Sequence, residues 1–254
     1  MTPAILIRYV ITAAIRDKLI IGLCLLLALA VSLSFFMASA ALTEQDQFAA
    51  VFSAGSIRIL NAIGLVLFIV FFVRRSFETR DVEFMLSRPV GRIQLVLSYS
   101  AGFSILAILI GLVSGATVIA LSPHLFSSGH VLWILSLIIE NIIMVNAALF
   151  FSMILTSAAS CAFASFGFYV LARMMSQLLG IIDSGKEVIN LEFLEVIMQA
   201  ISMLMPRLDL MTQTSWLVYG PDAQTGYIFI IFQGVVYSGL ILSAALIDMH
   251  RRQF

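Results

Sequence analysis

The chain has 254 residues, 61% of them hydrophobic and 11% charged, with formal net charge zero. Soluble domains run at roughly 45–50% apolar and about 25% charged, so a water-soluble globular class is excluded. Several apolar runs exceed the ~20 residues that span a bilayer, which makes this an all-α polytopic membrane protein. Zero net charge gives no reason to expect a nucleic-acid partner; the distribution of charge is the informative quantity.

Residues 1–18 come first. Arg8, Thr12 and Arg16 recur every four residues as a thin polar stripe, and Ile5, Leu6, Tyr9, Val10 and Ala13 cover much of the rest. An amphipathic helix of this kind lies in the interface plane; the alternative is the near end of the first span. Span one is expected at 19–42. Ala38-Ser39-Ala40 has the look of a signal-peptide cleavage site, but the run is too long for an h-region of about 7–15 residues, so it is read as retained. Residues 43–53 carry Glu44 and Asp46 without a basic residue and are read as an outer loop. Span two is expected at 54–73.

The segment 74–92, RRSFETRDVEFMLSRPVGR, is the densest run of charge in the chain. Arg74, Arg75, Arg80, Arg88 and Arg92 against Glu78, Asp81 and Glu83 leave a basic excess, which assigns the loop to the cytoplasmic side. Val82, Met85 and Leu86 share one helical face. Pro89 ends the helix and restricts Arg88 before it. The result is a short amphipathic helix suited to docking on another protein.

Spans three, four and five are expected at 93–121, 131–155 and 161–182. Gly111 and Gly115 form a G-x-x-x-G pair on span three, which permits close helix contact. Residues 122–130 are an outer turn and 156–160 a tight break. Residues 183–225 form an outer insertion with an interfacial helix over 189–204, stopped by Pro206. Span six is expected at 226–247, before a basic tail with Arg251 and Arg252. On this layout Arg8, Arg16, Lys18, Arg74, Arg75, Arg80, Arg88, Arg92, Arg251 and Arg252 fall on one side, and Lys186 and Arg207 on the other. Both termini are then cytoplasmic and the span count is even.

Three charges lie inside spans and are functional candidates by default. Glu140 on span four and Arg173 on span five both sit about nine residues from the outer surface. They are expected to pair, directly or through Asn141 or Gln177, as a fixed clamp or as part of a pathway. Arg58 lies about one turn inside span two and is expected to snorkel to the outer headgroups or to meet an anionic substrate headgroup. Cys24 and Cys161 read as small buried hydrophobes. His124 and His130 share an outer turn, and Met198, Met203, Met205 and Met211 gather in the insertion; soft thioethers suit copper, but packing is the simpler reading and no metal is assigned. There is no G-x-x-x-x-G-K-[ST] loop and no nucleophile or metalloprotease arrangement, so the chain is not read as an enzyme by itself.

The 74–92 loop is similar to the cytoplasmic coupling loop of ABC-2-type transporter permeases. The matching residues are Glu78, Thr79, Val82, Glu83, Met85, Leu86, Ser87, Arg88, Pro89, Val90 and Arg92. The layout also resembles that family, including the subgroup that serves maturation of copper enzymes such as nitrous-oxide reductase. The resemblance implies six spans, an N-terminal elbow helix at 1–18, a coupling helix between spans two and three, and an outer helical insertion between spans five and six. It further implies export in the plasma (inner) membrane and a second permease copy, forming a homodimer. Two copies of an ATP-binding subunit would bind ATP and magnesium in place of this chain. Glu78, Val82, Glu83, Met85, Leu86, Arg88 and Pro89 would carry the contact to that subunit. The rival expectation is a non-transporting membrane scaffold that recruits a cytoplasmic partner through the same loop.

Overall fold

The computed structural model describes residues 3–39, 45–79, 91–121, 123, 126–185, 200–221 and 225–251. Among these residues the chain is all helix, with no strand. In chain order the helices are α1 (Pro3–Arg16), α2 (Leu19–Ala38), α3 (Gln45–Glu78), α4 (Arg92–Leu121), α5 (Ser128–Ile154), α6 (Ala158–Arg173), α7 (Met175–Gly185), α8 (Leu208–Met211), α9 (Trp216–Tyr219) and α10 (Tyr227–Arg251). Five of them, α2, α3, α4, α5 and α10, are long and apolar enough to cross a membrane.

The first helix is separated from the second by Asp17 and Lys18. Lys18 takes the left-handed conformation (φ 58°, ψ 22°), which turns the chain between two helices. Leu6, Val10, Ala13 and Ala14 are buried, while Arg8, Thr12 and Arg16 are exposed. The buried face seats on α4, where Val10 lies against Gly102. Tyr9, Phe72, Tyr99 and Phe103 join α1, α3 and α4 in one aromatic cluster, with ring centroids 5.7 Å apart for Tyr9–Phe72 and 5.8 Å for Phe72–Tyr99.

The fifth helix is the hub. It packs on α3, α4, α6, α9 and α10, and most of its circumference is buried. A helix apolar all round belongs in that place. Gly111 and Gly115 let α4 approach it closely: a Cβ at either position would stand 2.6 Å from Ile138 Cγ1 or 2.7 Å from Ile134 Cγ1. Gly234 does the same for α10 against Ile139. Polar glue ties the same helices. Asn61 Nδ2 donates to Ser114 Oγ (2.8 Å) between α3 and α4, and Ser100 Oγ donates to Asn146 Oδ1 (2.6 Å) between α4 and α5.

Two expected boundaries differ. Span two was placed at 54–73, but α3 runs for 34 residues from Gln45. Its start includes Asp46, an acid in the first turn, where the helix dipole favours negative charge. The expected fifth span is not a single helix: 161–182 divides into α6, 16 residues long, and α7, with Met174 between them at φ −97°, ψ 7°. Sixteen residues rise about 24 Å, short of a ~30 Å hydrocarbon core. No proline or glycine marks the break. It falls between two tertiary contacts: Arg173 turns towards Glu140, and Ser176, one turn on, hydrogen-bonds Asp209 and Arg207.

The insertion packs into the bundle near this break. Leu208, Met211, Trp216 and Leu217 are buried. The Trp216 carbonyl abuts Gly129 at the start of α5, and the Arg207 N–H donates to Gln233 Oε1 of α10 (3.4 Å). Of the expected interfacial helix only its end, 200–204, is described, and it is helical.

Candidate functional site

The buried charges converge on α5. Arg58 is on α3, 13 residues after Gln45 and so roughly 20 Å along the helix. Glu140 is 12 residues along α5, roughly 18 Å in. α3 and α5 run parallel, their ends meeting at Arg74 and Leu155, and this brings the two to one depth. Arg58 Nη1 donates to Glu140 Oε2 at 2.5 Å, and both side chains are fully buried. Arg58 Nη2 donates to Ser136 Oγ (2.9 Å), whose hydroxyl donates to the Trp133 carbonyl (2.7 Å). The guanidinium stands 4.9 Å from the Trp133 ring centroid, in range for a cation–π contact. The expectation that Arg58 snorkels to the outer headgroups is overturned. The helix begins earlier than expected, and the side chain turns inward to a carboxylate.

The other Glu140 oxygen faces α6. Arg173 Nη1 lies 3.7 Å from Glu140 Oε1, an ion pair without a hydrogen bond, and donates to the Tyr169 hydroxyl at 2.8 Å. Arg173 keeps a quarter of its side chain exposed. Neither Asn141 nor Gln177 mediates the pairing. Asn141 is buried with both amide atoms unbonded among the described residues, and Gln177 is exposed. Two guanidiniums thus share one carboxylate, and the cluster carries a charge of about +1. In an apolar interior an unbalanced charge is costly, so the count of charges matters more than any single contact.

Ser136, Trp133 and Tyr169 were missed by sequence reasoning. Ser136 stands four residues before Glu140 and Tyr169 four before Arg173, so each shares a helical face with a charged candidate. That spacing was the available signal.

The third helix also runs towards the basic loop. Arg74 Nη1, half-buried, donates to the Leu155 carbonyl (3.1 Å) where α5 ends. The Cys161 thiol lies 3.7 Å from the same carbonyl. Glu78 is the last residue of α3 and is exposed. Val82, Glu83, Met85, Leu86, Arg88 and Pro89 lie outside the described residues.

The two ends of the bundle differ in charge. Asp17 and Arg75 line one pocket, so the start of α2 lies beside the end of α3. Tyr227 reaches the Ser128 carbonyl (3.4 Å), so the start of α10 lies beside the start of α5 and its Arg251 end lies at the opposite end. Arg16, Lys18, Arg74, Arg75, Arg92 and Arg251 therefore gather at one end, and Arg207 stands towards the other. Comparison with known protein families and with curated proteins finds no match to this chain.

Proposed function

We propose that the chain is the membrane-spanning permease subunit of an ABC transporter, exporting a substrate with energy from ATP hydrolysed on a separate subunit. The observation that supports this reading best is the continuity of α3. The helix runs unbroken from Arg58, in the buried charge cluster, to Glu78, at the start of the amphipathic loop. Twenty residues of helix make a rod of about 30 Å. Arg74 fastens the same rod to the end of α5, so a displacement at the loop would be carried by α3 and α5 together. On this reading two ATP-binding subunits dock under the loops of two permease copies. The apolar trio Val82, Met85 and Leu86 fills a groove on that subunit, and Glu78, Glu83 and Arg88 set its register, with Pro89 closing the helix. Nucleotide-driven closure then rocks the helices between two arrangements. The basic end of the bundle would face the cytoplasm of the inner membrane, with both chain termini on that side.

The test is a pull-down of the tagged chain from gentle detergent, followed by an ATPase assay. Wild type is expected to bring down a nucleotide-binding protein with ATPase activity. Glu83→Arg combined with Leu86→Asp is expected to lose it. Recovery of a partner without nucleotide-binding activity would favour a scaffold and overturn the transporter reading.

A further inference from the structure

The basic end of the bundle carries a groove of about 360 Å³ between α2 and α3, with charge of both signs on its lining. Leu23, Leu26, Leu67, Phe68 and Phe71 form its walls, and Asp17 and Arg75 supply its polar side chains. Leu26 and Phe71 are exposed, so the groove opens sideways to whatever surrounds the bundle. The two helices meet closely at Gly64, where a Cβ would stand 2.5 Å from Leu23 Cδ2. They part at Gly22, where a Cβ would meet nothing within 4 Å. Arg75 lies 11 residues after Gly64 on α3, roughly 16 Å away, which is about one leaflet of a ~30 Å hydrocarbon core. Both charges are exposed, and they are not paired with each other. Among the described residues Asp17 has a loose ion pair at 4.0 Å to the exposed Arg16, and no carboxylate reaches Arg75. An apolar slot with one cation and one anion at its mouth suits a molecule with an acyl chain and a zwitterionic head.

We propose that this groove binds a phospholipid whose head carries a primary ammonium, as phosphatidylethanolamine does. The phosphate rests on Arg75, the ammonium on Asp17, and one acyl chain lies along Leu26, Leu67 and Phe71. The level is suitable. Asp17 stands two residues before α2 begins and Arg75 in the last turn of α3, so both lie where apolar helix gives way to headgroups. Charge complementarity selects among lipids. The planar guanidinium fork matches a phosphate, and a primary ammonium brings three N–H donors to a carboxylate. A choline head keeps the positive charge but has no N–H to donate. A glycerol head has no cation and sets its phosphate beside Asp17, where like charges repel. A wholly apolar occupant would meet neither charge. The inference rests on the bundle crossing a membrane and not on the transporter reading, so either can fail alone.

The experiment uses the purified full chain, stripped of lipid in detergent. Retention of phosphatidylethanolamine, phosphatidylcholine and phosphatidylglycerol with the same acyl chains is compared by native mass spectrometry. Wild type is expected to hold phosphatidylethanolamine about three- to fivefold better than either of the others, the scale of one ion pair near a surface. Asp17→Asn is expected to abolish the preference over phosphatidylglycerol, and Asp17→Glu to keep it. Arg75→Gln is expected to lower retention of all three, since each carries the phosphate. Gly22→Phe fills the groove at a position with open space and is expected to lower retention without touching either charge. Gly22→Ala, which adds little volume there, is expected to bind as wild type does. Equal retention of the three lipids by wild type overturns the inference, as does a preference for phosphatidylglycerol. A preference for phosphatidylethanolamine that survives Asp17→Asn, or that survives Gly22→Phe undiminished, places that lipid elsewhere and also overturns it. Disulfide crosslinking between two copies through Gly22→Cys would show an interface between copies and reject the lipid.

Discussion

At the scale of single residues, charge counting ranks the variants of the cluster. Glu140→Gln leaves two buried guanidiniums without a carboxylate, at about +2. Arg58→Met leaves Glu140 facing Arg173, at zero, but removes the bonds to Glu140 Oε2 and Ser136. Arg173→Gln leaves the close Arg58–Glu140 pair intact, also at zero. Unfolding in detergent should therefore rank Glu140→Gln as most damaging, by about 3 kcal/mol. Arg58→Met should fall between, and Arg173→Gln should cost less than about 1 kcal/mol. A larger loss for Arg173→Gln than for Glu140→Gln would sink the shared-carboxylate account. The similar depth of Glu140 and Arg173 could be read from the sequence by counting along apolar runs. Arg58 could not, because its depth depends on where α3 starts. Glu44 and Asp46 look like loop residues in a hydropathy reading, yet an acid near a helix start is itself a helix signal.

At the scale of elements, glycine positions separate close contacts from open surface. A side chain on Gly129 would run into the Trp216 carbonyl, a backbone atom fixed by the buried Trp216. Gly129→Ala must therefore push α9 away from α5. An added Cβ on Gly239, in the middle of α10, meets nothing within 4 Å. Gly129→Ala should lower stability by about 2 kcal/mol or more, and Gly239→Ala should be neutral or slightly stabilising. Equal effects on thermal unfolding would show that the α5–α9 contact is not close in solution. Gly111 and Gly115 were legible as a pair, because four-residue spacing puts them on one face, and they meet Ile138 and Ile134 at the same spacing. The break between α6 and α7 was not legible. Its cause is the pull of Glu140 on Arg173 and of Asp209 on Ser176, contacts made by residues distant in sequence. The turn at Lys18 was also hidden, since lysine carries no turn signal.

At the scale of the whole molecule, helix class and the unequal distribution of basic residues were plain from composition and order, because every long apolar run is a helix and loops carry the charge. The structure adds which ends meet, and that makes membrane orientation testable. Thr79 follows α3 at the basic end, and Tyr219 is 85% exposed in the insertion towards the other end. Cys24 and Cys161 lie within apolar helices, away from the water that a charged reagent needs. Wild-type cells should therefore give a low background with a membrane-impermeant maleimide. Tyr219→Cys should label on intact cells, and Thr79→Cys only after the membrane is opened. The reverse pattern would invert the bundle and place the basic end outside, against the electrostatics of insertion. The amphipathic loop could not then meet a cytoplasmic ATPase. Labelling of both positions from the same face would mean that α3 does not separate two aqueous compartments, and the membrane-spanning assignment of the longest helix would fall.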